Sequence, residues 1–490
     1  MNHEIQTETF VENYRRALVN AQLQRALSNA TAKFTIGRRL AVMSVGEDWE
    51  ILRARAREIK EHAGNNLDYY LDQFTTNVER LGGRVFWARD SAEANNYIAS
   101  LARERGATLA VKSKSMMTEE IELNRALARA GVEAVETDLG EYIIQLADER
   151  PSHIIAPAIH KTRGDVADLF TEKLNFERTE EIERMTALAR RVLRERFARA
   201  DMGVTGANFA IAETGTIVLV ENEGNIRMTT SLPRMHVALM GIEKVIPRLE
   251  DLAVFLRLLP RSASGQQMSA YVSFLTGVKR AATEEGPDEL HVVILDNGRV
   301  DMLANEHLRE SLYCIRCGAC LNVCPVYQKI GGHAYGWIYP GPIGSVLTPQ
   351  LLGRERAANL PFASSLCGAC REACPVKINI PDMLLRLRYE IKEGDEADSQ
   401  RHNDKPIERW LFAKIKNRFA KSAERAAFKL WAATMKTPAR FERAARLARL
   451  AAQAFDNRLP FARWTATRDL PPLAARSFRE EWASRENKKS

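Results

Sequence analysis

Seven cysteines in two short runs carry the most recognisable chemistry of this 490-residue chain. The first run is followed by a proline and has the spacing C-x2-C-x2-C-x3-C-P, which is typical of bacterial iron–sulfur ligation. Its members are Cys314, Cys317, Cys320 and Cys324. The second run is Cys367, Cys370 and Cys374. It matches the first from the second cysteine onward, and Ser364 stands where the first cysteine would be.

The two runs predict two clusters that share ligands. In two-cluster ferredoxins the fourth cysteine of a run ligates the other cluster. This rule predicts one [4Fe–4S] cluster with four thiolates, from Cys314, Cys317, Cys320 and Cys374. It predicts a second cluster with three thiolates, from Cys324, Cys367 and Cys370. One iron corner of the second cluster therefore has no cysteine.

That corner has three open assignments. In the first, Ser364 or Ser365 supplies an oxygen ligand. In the second, water or hydroxide binds an open iron. In the third, the iron is lost and the cluster is [3Fe–4S]. A structural zinc site is a separate alternative, because C-x2-C pairs also make tetrahedral zinc sites. Zinc has no use for the third cysteine, for the x3-C-P ending or for the near repeat, so the pattern favours iron and sulfide.

Composition and charge predict a cytoplasmic protein with a basic tail. An odd number of cysteines confined to ligand runs indicates a reducing compartment. The first fifteen residues lack the apolar core of a secretory signal, and no stretch of eighteen apolar residues predicts a membrane span. The net charge of +8 comes from the tail, where Lys405–Arg468 holds sixteen basic and four acidic side chains.

The amphipathic helical pattern of that tail has three candidate uses besides a solvated basic face. The first use is to dock an acidic partner subunit, the second is to lie peripherally on an anionic membrane surface, and the third is to bind nucleic acid. The partner subunit is the preferred use and nucleic acid the least favoured, because no helicase or nuclease motif accompanies the cysteines.

The middle of the chain predicts an open α/β domain. Strand-like runs at 84–88, 108–112 and 132–135 alternate with helical patterns at 91–105 and 119–130. Such alternation is typical of βαβ units and a parallel sheet. A helix from Met302 to Leu312 is expected to lead into the first cysteine run, and the glycine- and proline-rich stretch 326–366 to hold no long helix.

Polar residues in this domain are candidates for a ligand pocket. The segment Gly203–Arg227 predicts two strands around a Glu-Thr-Gly-Thr turn, which could present polar groups to an anion at the strand ends. The alternative is a hairpin whose glycine and threonines only make the turn. The candidates are Lys112, Lys114, Glu213, Thr214, Asn222, Asn225, Arg227 and His236, the last expected to top a helix beside the site or to be a structural histidine.

These residues and motifs together resemble the lactate utilization protein B family. The resemblance is carried by Ala212-Glu-Thr-Gly-Thr216, Asn222-Glu-Gly-Asn225, the paired cysteine runs and Gly336-Trp-Ile-Tyr-Pro-Gly-Pro-Ile-Gly344. It implies a LUD-type α/β domain, similar in fold to sugar-isomerase and CoA-transferase-like domains. The expected order is helical segment 1–64, LUD-like domain 65–300, α-helical ferredoxin-type module 301–395 with two 4Fe-4S clusters, and basic helical tail 396–490.

The resemblance also implies a function. The family's protein works with two companions, a cysteine-rich iron–sulfur subunit and a smaller LUD protein, to convert L-lactate to pyruvate. The chain is then expected to relay electrons, with the lactate site on this chain or on a companion. Two alternatives are a self-contained LUD-domain oxidoreductase for another small carboxylate, and an iron–sulfur protein whose basic tail binds nucleic acid.

Overall fold

The computed structural model describes residues 5–281, 284–393, 426–454, 474 and 476–486. The chain divides into two compact units, Met1–Gly394 and Asp395–Ser490. The first unit holds both the α/β domain and the cysteine module. Of the predicted basic tail 396–490, residues 396–425, 455–473, 475 and 487–490 lie outside the described residues.

The first unit begins with four helices; the apolar faces of the first three reach the cysteine module, and that of the fourth packs on the α/β domain. They are α1 Phe10–Val19, α2 Ala21–Met43, α3 Asp48–Asn65 and α4 Leu67–Arg80. The Asn20 side chain accepts a hydrogen bond from the backbone N–H of Leu23 and so caps α2. Phe10, Leu27 and Trp49 belong to the same hydrophobic core as the buried cysteines. The first three helices are therefore part of the apolar surroundings of the cysteines.

A six-stranded, fully parallel sheet forms the α/β domain. Its strands in chain order are β1 Arg84–Ala88, β2 Leu109–Lys112, β3 Glu133–Glu136, β4 Met202–Thr205, β7 Met235–Gly241 and β10 Glu289–Leu295. They lie side by side in the order β1-β10-β7-β4-β2-β3. Short apolar runs such as Val292-Val-Ile-Leu295 are fully buried, as expected of strands covered on both faces. The predicted α/β fold class with a parallel sheet is confirmed.

A second, four-stranded sheet packs beside the first. It contains β5 Phe209–Ile211, β6 Thr216–Glu221, β8 Val245–Ile246 and β9 Tyr271–Leu275, in the order β8-β5-β6-β9. The pair β5/β6 is antiparallel, so the predicted hairpin around the Glu-Thr-Gly-Thr turn is present. Gly215 at this turn has φ +67°, a left-handed conformation that favours glycine.

The remaining helices of the first unit range from four to eighteen residues in length. Those of the α/β domain are α5 Ser91–Glu104, α6 Met116–Glu120, α7 Leu123–Arg129, α8 Leu139–Leu146, α9 Arg163–Leu174, α10 Ile182–Arg199, α11 Asn225–Ser231 and α12 Leu252–Ala263. Those that lead to and form the cysteine module are α13 Arg299–Ala304, α14 Ala319–Asn322, α15 Tyr327–Ile330, α16 Gly341–Leu352, α17 Ala369–Ala373 and α18 Ile380–Glu393. In the second unit, residues 426–435, Pro438–Ala454 and Phe478–Glu486 are helical.

Three predicted elements were wrong. The helix expected over 119–130 is split into α6 and α7, because Glu122 adopts φ 54°, which ends one helix before the next begins. The helix expected over 302–312 is also divided, into α13 and a 3-10 turn at Arg309–Tyr313. The stretch 326–366 contains the twelve-residue helix α16.

Burial explains why α16 forms in a glycine- and proline-rich stretch. Pro342 lies in the first turn of α16, where a backbone N–H would have no acceptor within the helix, so the N–H that proline lacks is not missed. Every residue from Gly341 to Pro349 is buried, so tertiary packing outweighs weak helix propensity and the interior Pro349. No helix in the described part of the chain is long and apolar enough to cross a membrane.

Candidate iron–sulfur centre and adjoining cavity

Four cysteines from both runs surround one small cavity. Cys314, Cys317, Cys320 and Cys374 all line it, together with apolar side chains such as Ile343. Cys320 lies on α14, and Cys374 directly follows α17. Gly318, with φ 73°, makes the turn that lets α14 begin between Cys317 and Cys320. The tertiary structure thus brings the last cysteine of the second run to the first three of the first run.

The other three cysteines form a second group at the protein surface. Burial, with contributions from the nearby Cys324 and Cys367 thiols, raises the pKa of Cys370 to about 12. Burial likewise raises the pKa of Cys324, with a further contribution from Cys367. Cys367 itself is exposed. The second group therefore spans from the protein interior to solvent.

The two serines near the missing ligand position have different contacts. The Ser365 side chain hydrogen-bonds the Cys367 thiol and lowers the pKa of that thiol, aided by the Ala369 backbone N–H. The Ser364 hydroxyl accepts a hydrogen bond from the Leu366 backbone N–H at 3.1 Å. Either hydroxyl is close enough in sequence to serve the open iron corner, and Ser365 is the one in contact with a cysteine.

The cysteine environment fits iron–sulfur clusters. Backbone N–H groups of Arg316 and Ile378 donate to the Sγ atoms of Cys314 and Cys374, each at 3.4 Å, and such bonds to sulfur tune cluster potential. Burial raises the pKa of Cys374 to about 11, and a metal cation beside the sulfur would favour its thiolate form. The described residues contain no group of His, Cys, Asp or Glu side chains arranged to hold a single metal ion.

A larger cavity of about 210 Å³ lies beside the four-cysteine group. It opens at the carboxyl ends of β2, β3 and β4, which is where open α/β sheets place their ligand sites. Arg316 and Ile154 line both this cavity and the one formed by the four cysteines. A single layer of side chains therefore separates the two. We call the larger one the sheet-edge cavity.

Three of the predicted pocket residues line the sheet-edge cavity. They are Lys114, Asn222 and Asn225. The Lys114 Nζ donates to the Ile155 carbonyl oxygen at 2.9 Å and lies 3.8 Å from Asp138 Oδ2. The Asn225 Nδ2 donates to Thr137 Oγ1 at 3.0 Å.

Lys112, although it ends β2, lies outside the cavity. Its side chain is 1% exposed, and Nζ donates to Thr118 Oγ1 at 2.8 Å and lies 2.9 Å from Glu119 and 2.8 Å from Glu136. Burial by itself would lower the pKa of Lys112, but the two carboxylates raise it above its ordinary value. This lysine is a paired structural cation, which corrects its assignment to a ligand pocket.

Four further candidates also lie outside the cavity. Glu213 accepts from the Leu249 backbone N–H at 2.9 Å, and the Thr214 hydroxyl donates to Thr216 Oγ1 at 2.8 Å, so both hold the hairpin turn. Arg227 is exposed on α11. His236 lies in the central strand β7 rather than on a helix. Burial lowers the pKa of His236 to about 3, and its Nε2 shares a 2.9 Å hydrogen bond with Thr205 Oγ1.

Three family models match consecutive parts of the chain. A LUD domain matches residues 71–295, a 4Fe-4S dicluster domain matches 310–378, and the C-terminal domain of lactate utilisation protein B matches 387–487. Lactate utilization protein B of Oceanobacillus iheyensis is 42% identical and covers 99% of this chain and 98% of its own. The chain belongs to the lactate utilization protein B family.

Further members show the same degree of similarity. Lactate utilization protein B of Bacillus subtilis is 41% identical over 99% of this chain and 98% of its own, and that of Geobacillus is 47% identical over 81% and 83%. A solved DUF162 family protein from Deinococcus radiodurans covers 47% of this chain and 98% of its own, with 15% identity and a TM-score of 0.28. That last similarity is too low to support an argument. The predicted family is confirmed, and its dicluster domain supports iron–sulfur clusters in this chain.

One segment of the cysteine module joins the two parts of the first unit. Tyr339, from the Gly336–Gly344 motif, donates its hydroxyl to Glu120 Oε2 at 2.6 Å. Glu120 forms a two-pronged pair with Arg299 at 2.9 and 2.7 Å, and the Arg299 Nε lies 2.9 Å from Glu243 Oε2. Arg316 of the first cysteine run lies 3.7 Å from Glu243. A buried charged network therefore connects the LUD domain to the cluster ligands.

Sequence reasoning missed the cationic residues that matter most at the sheet-edge cavity. Lys244 follows β7, and burial lowers its pKa to about 8. Arg316 stands between Cys314 and Cys317. The position of Arg316 between two predicted cluster ligands could have marked it as a candidate, because residues between such ligands lie beside the cluster. Lys244 gave no such signal, since only the fold brings it near the cysteines.

Proposed function

We propose that this chain is an iron–sulfur electron-transfer subunit of a multi-protein system that oxidises L-lactate to pyruvate. Membership of the lactate utilization protein B family supports a role in lactate utilization. The dicluster match supports the redox part of that role. The observation that carries the proposal is the grouping of seven cysteines into one buried set of four and one set of three that reaches the surface.

The two cysteine groups are suited to passing electrons in sequence. When bound, iron–sulfur clusters accept one electron each, and lactate oxidation releases two. Cys370 of the second group is close enough to Cys320 of the first to contribute to the raised pKa of the Cys320 thiol, which is due chiefly to burial. Apolar side chains such as Ile343 and Ile378 exclude water from the first group. The exposed Cys367 marks where electrons would leave toward a partner.

The partners in this proposal are a cysteine-rich iron–sulfur subunit and a smaller LUD protein. The basic helix Pro438–Ala454 is the proposed docking element for an acidic companion. Part of its charge is neutralised within its own unit, because Arg449 Nη1 lies 2.9 Å and Arg446 Nε 3.8 Å from Glu480. The remaining basic residues favour a protein partner, with peripheral membrane contact in the cytoplasm as the alternative.

The test is cluster reduction by substrate. Anaerobically purified chain would be combined with its two companions, and EPR spectra recorded before and after addition of L-lactate. We expect signals of reduced clusters that match those produced by dithionite. If dithionite reduces the clusters while L-lactate does not in the complete mixture, the proposed function is wrong.

The sheet-edge cavity favours a second candidate function. A cavity one side-chain layer from the four-cysteine group suits a LUD-domain oxidoreductase that binds its own small carboxylate. This chain would then reduce an artificial dye with L-lactate or another small acid in the absence of companions. A subunit that only relays electrons would not.

A further inference from the structure

The sheet-edge cavity contains cationic and polar groups that the protein itself leaves unpaired. Nζ of Lys244 makes no hydrogen bond or ion pair within the described ranges, although the residue is only 8% exposed. Nη1 of Arg316 and Oγ of Ser113 are buried and lack any hydrogen-bond partner in the part of the chain that the structure describes. Buried polar groups are normally satisfied, so the Arg316 and Ser113 atoms indicate a ligand or water that completes them.

The backbone holds Arg316 in an unusual conformation. Its φ is 59°, in the left-handed region that side chains other than glycine seldom adopt. The guanidinium packs over the Tyr339 ring at 4.7 Å and lies 3.7 Å from Glu243 Oε1. These contacts fix a strained residue whose side chain is 10% exposed. Such strain is concentrated at ligand-binding positions.

The shape and chemistry of the cavity define the ligand class. Its volume of about 210 Å³ is below that of the pockets that hold drug-sized ligands or cofactors. Its polar side carries three cations, Lys114, Lys244 and Arg316, and three carboxylates, Asp138, Glu221 and Glu223. Asp138 lies 3.8 Å from Lys114, Glu221 accepts hydrogen bonds from the backbone N–H groups of Ile226 and Arg227, and Glu223 is exposed. Among the described residues, the cations of the cavity that no lining carboxylate pairs are therefore Lys244 and Arg316. Ile154 and Leu219 form an apolar wall. A ligand with one anionic end and a short hydrocarbon body matches both surfaces.

We propose that the sheet-edge cavity binds a 2-hydroxy or 2-oxo monocarboxylate of about three carbons, with the carboxylate held by Lys244 and Arg316 beside the four-cysteine group. The buried hydroxyl of Ser113 donates to the ligand's oxygen at C2 or to its carboxylate. This inference rests on the proposed function, since it places that function's substrate class on this chain. It concerns binding alone.

The test measures binding without turnover. Isothermal titration calorimetry would be performed on the full chain with its clusters, oxidised and without companions, using pyruvate and L-lactate as ligands. Lys244→Met should weaken binding of both acids by at least about tenfold, because it removes a charge-assisted hydrogen bond. Arg227→Met, which removes an exposed cation outside the cavity, should change the dissociation constant by less than about twofold.

A second variant guards against a folding defect. Ala263 lines the cavity, and Ala263→Leu should abolish binding by filling it while iron content and the dithionite-reduced EPR spectrum stay unchanged. Failure of the unaltered chain to bind either acid at about 10 mM would overturn the inference. So would equal binding to the Lys244→Met chain with normal iron content. Inorganic phosphate that binds as tightly and displaces pyruvate would overturn the assignment to a carboxylate.

The outcomes separate this inference from the proposed function. If the chain binds neither acid but the complete system still reduces its clusters with L-lactate, the lactate site lies on a companion and only the cavity assignment is wrong. If the chain binds pyruvate and L-lactate but the complete system shows no cluster reduction, the electron-transfer proposal is wrong and the binding site stands.

Discussion

Replacing Arg299 should destabilise the whole first unit, because this residue neutralises two buried carboxylates. Arg299 is 1% exposed, and its partners Glu120 and Glu243 are 0% and 2% exposed in their side chains. Arg299→Met keeps much of the side-chain volume but removes the charge and every donor. Breaking a buried ion pair by removing one partner costs about 3–5 kcal/mol. At roughly 2 °C per kcal/mol, the unfolding midpoint should fall by about 6–10 °C.

The pH dependence of this loss has a definite sign. Burial would raise the pKa of Glu120 and of Glu243, but Arg299 more than compensates; the pKa of Glu243 is lowered to about 2. Without Arg299 both carboxyls should take up protons more readily in the folded state. The variant's deficit should therefore be largest near pH 7 and shrink as the pH falls toward 5.

Thermal unfolding followed by tryptophan fluorescence would measure the effect, with midpoints compared because a cluster-containing protein is not expected to unfold in two states. Arg89→Met is the matched control, since Arg89 pairs with Glu93 on the surface and is 87% exposed. Its midpoint should match that of the unaltered protein. In the Arg299→Met chain, a further Glu120→Gln change should restore part of the loss. A midpoint within 2 °C of the unaltered protein for Arg299→Met would refute this reasoning.

Three further predictions test the ligand groups, the packing of the cysteine module and the core of the sheet. Cys374→Ser should abolish the EPR signal of the four-cysteine cluster while Cys367→Ser abolishes only the other signal; loss of the same signal in both would contradict the grouping. Gly332→Ala places Cβ 1.7 Å from the Ser152 carbonyl oxygen and should lower the unfolding midpoint and iron content, whereas Gly164→Ala, whose nearest contact is 3.6 Å, should do neither. His236 has a pKa of about 3 when folded against an ordinary 6.5, so stability that is present above pH 6.5 is lost as the pH falls toward 3. His236→Gln should therefore reduce the loss between pH 7 and 5 by about 2 kcal/mol, and an unchanged pH profile in urea unfolding would show that the histidine is not buried as a neutral base.

The family could be recognised from the sequence, and a ligand set could be predicted from it, because both depend on the local order of residues. A cysteine spacing of C-x2-C-x2-C reflects how far a tight turn can place successive thiols, so it survives without knowledge of the fold. The strands β1 and β2 and the hairpin β5/β6 were also predicted, since burial on one or both faces imposes a visible apolar pattern.

Other features needed the tertiary structure because their cause is non-local. Lys112 was predicted to meet a ligand, yet Glu119 and Glu136 pair with it in the interior. The sequence around His236 does not indicate a strand, because β7 forms through its pairing with β4 and β10 on either side. The helix α16 forms against local propensity since its surroundings bury it.

The sheet-edge cavity shows the same division most clearly. The sequence by itself predicted that seven thiols bind iron–sulfur clusters, and it determined that Arg316 lies among those cysteines. Only the fold decided that Lys244, which follows a different strand, and Ser113, which follows another, come to the same space. Charged residues far apart in the chain share a site when parallel strands end at one edge, and no local pattern encodes which ends meet.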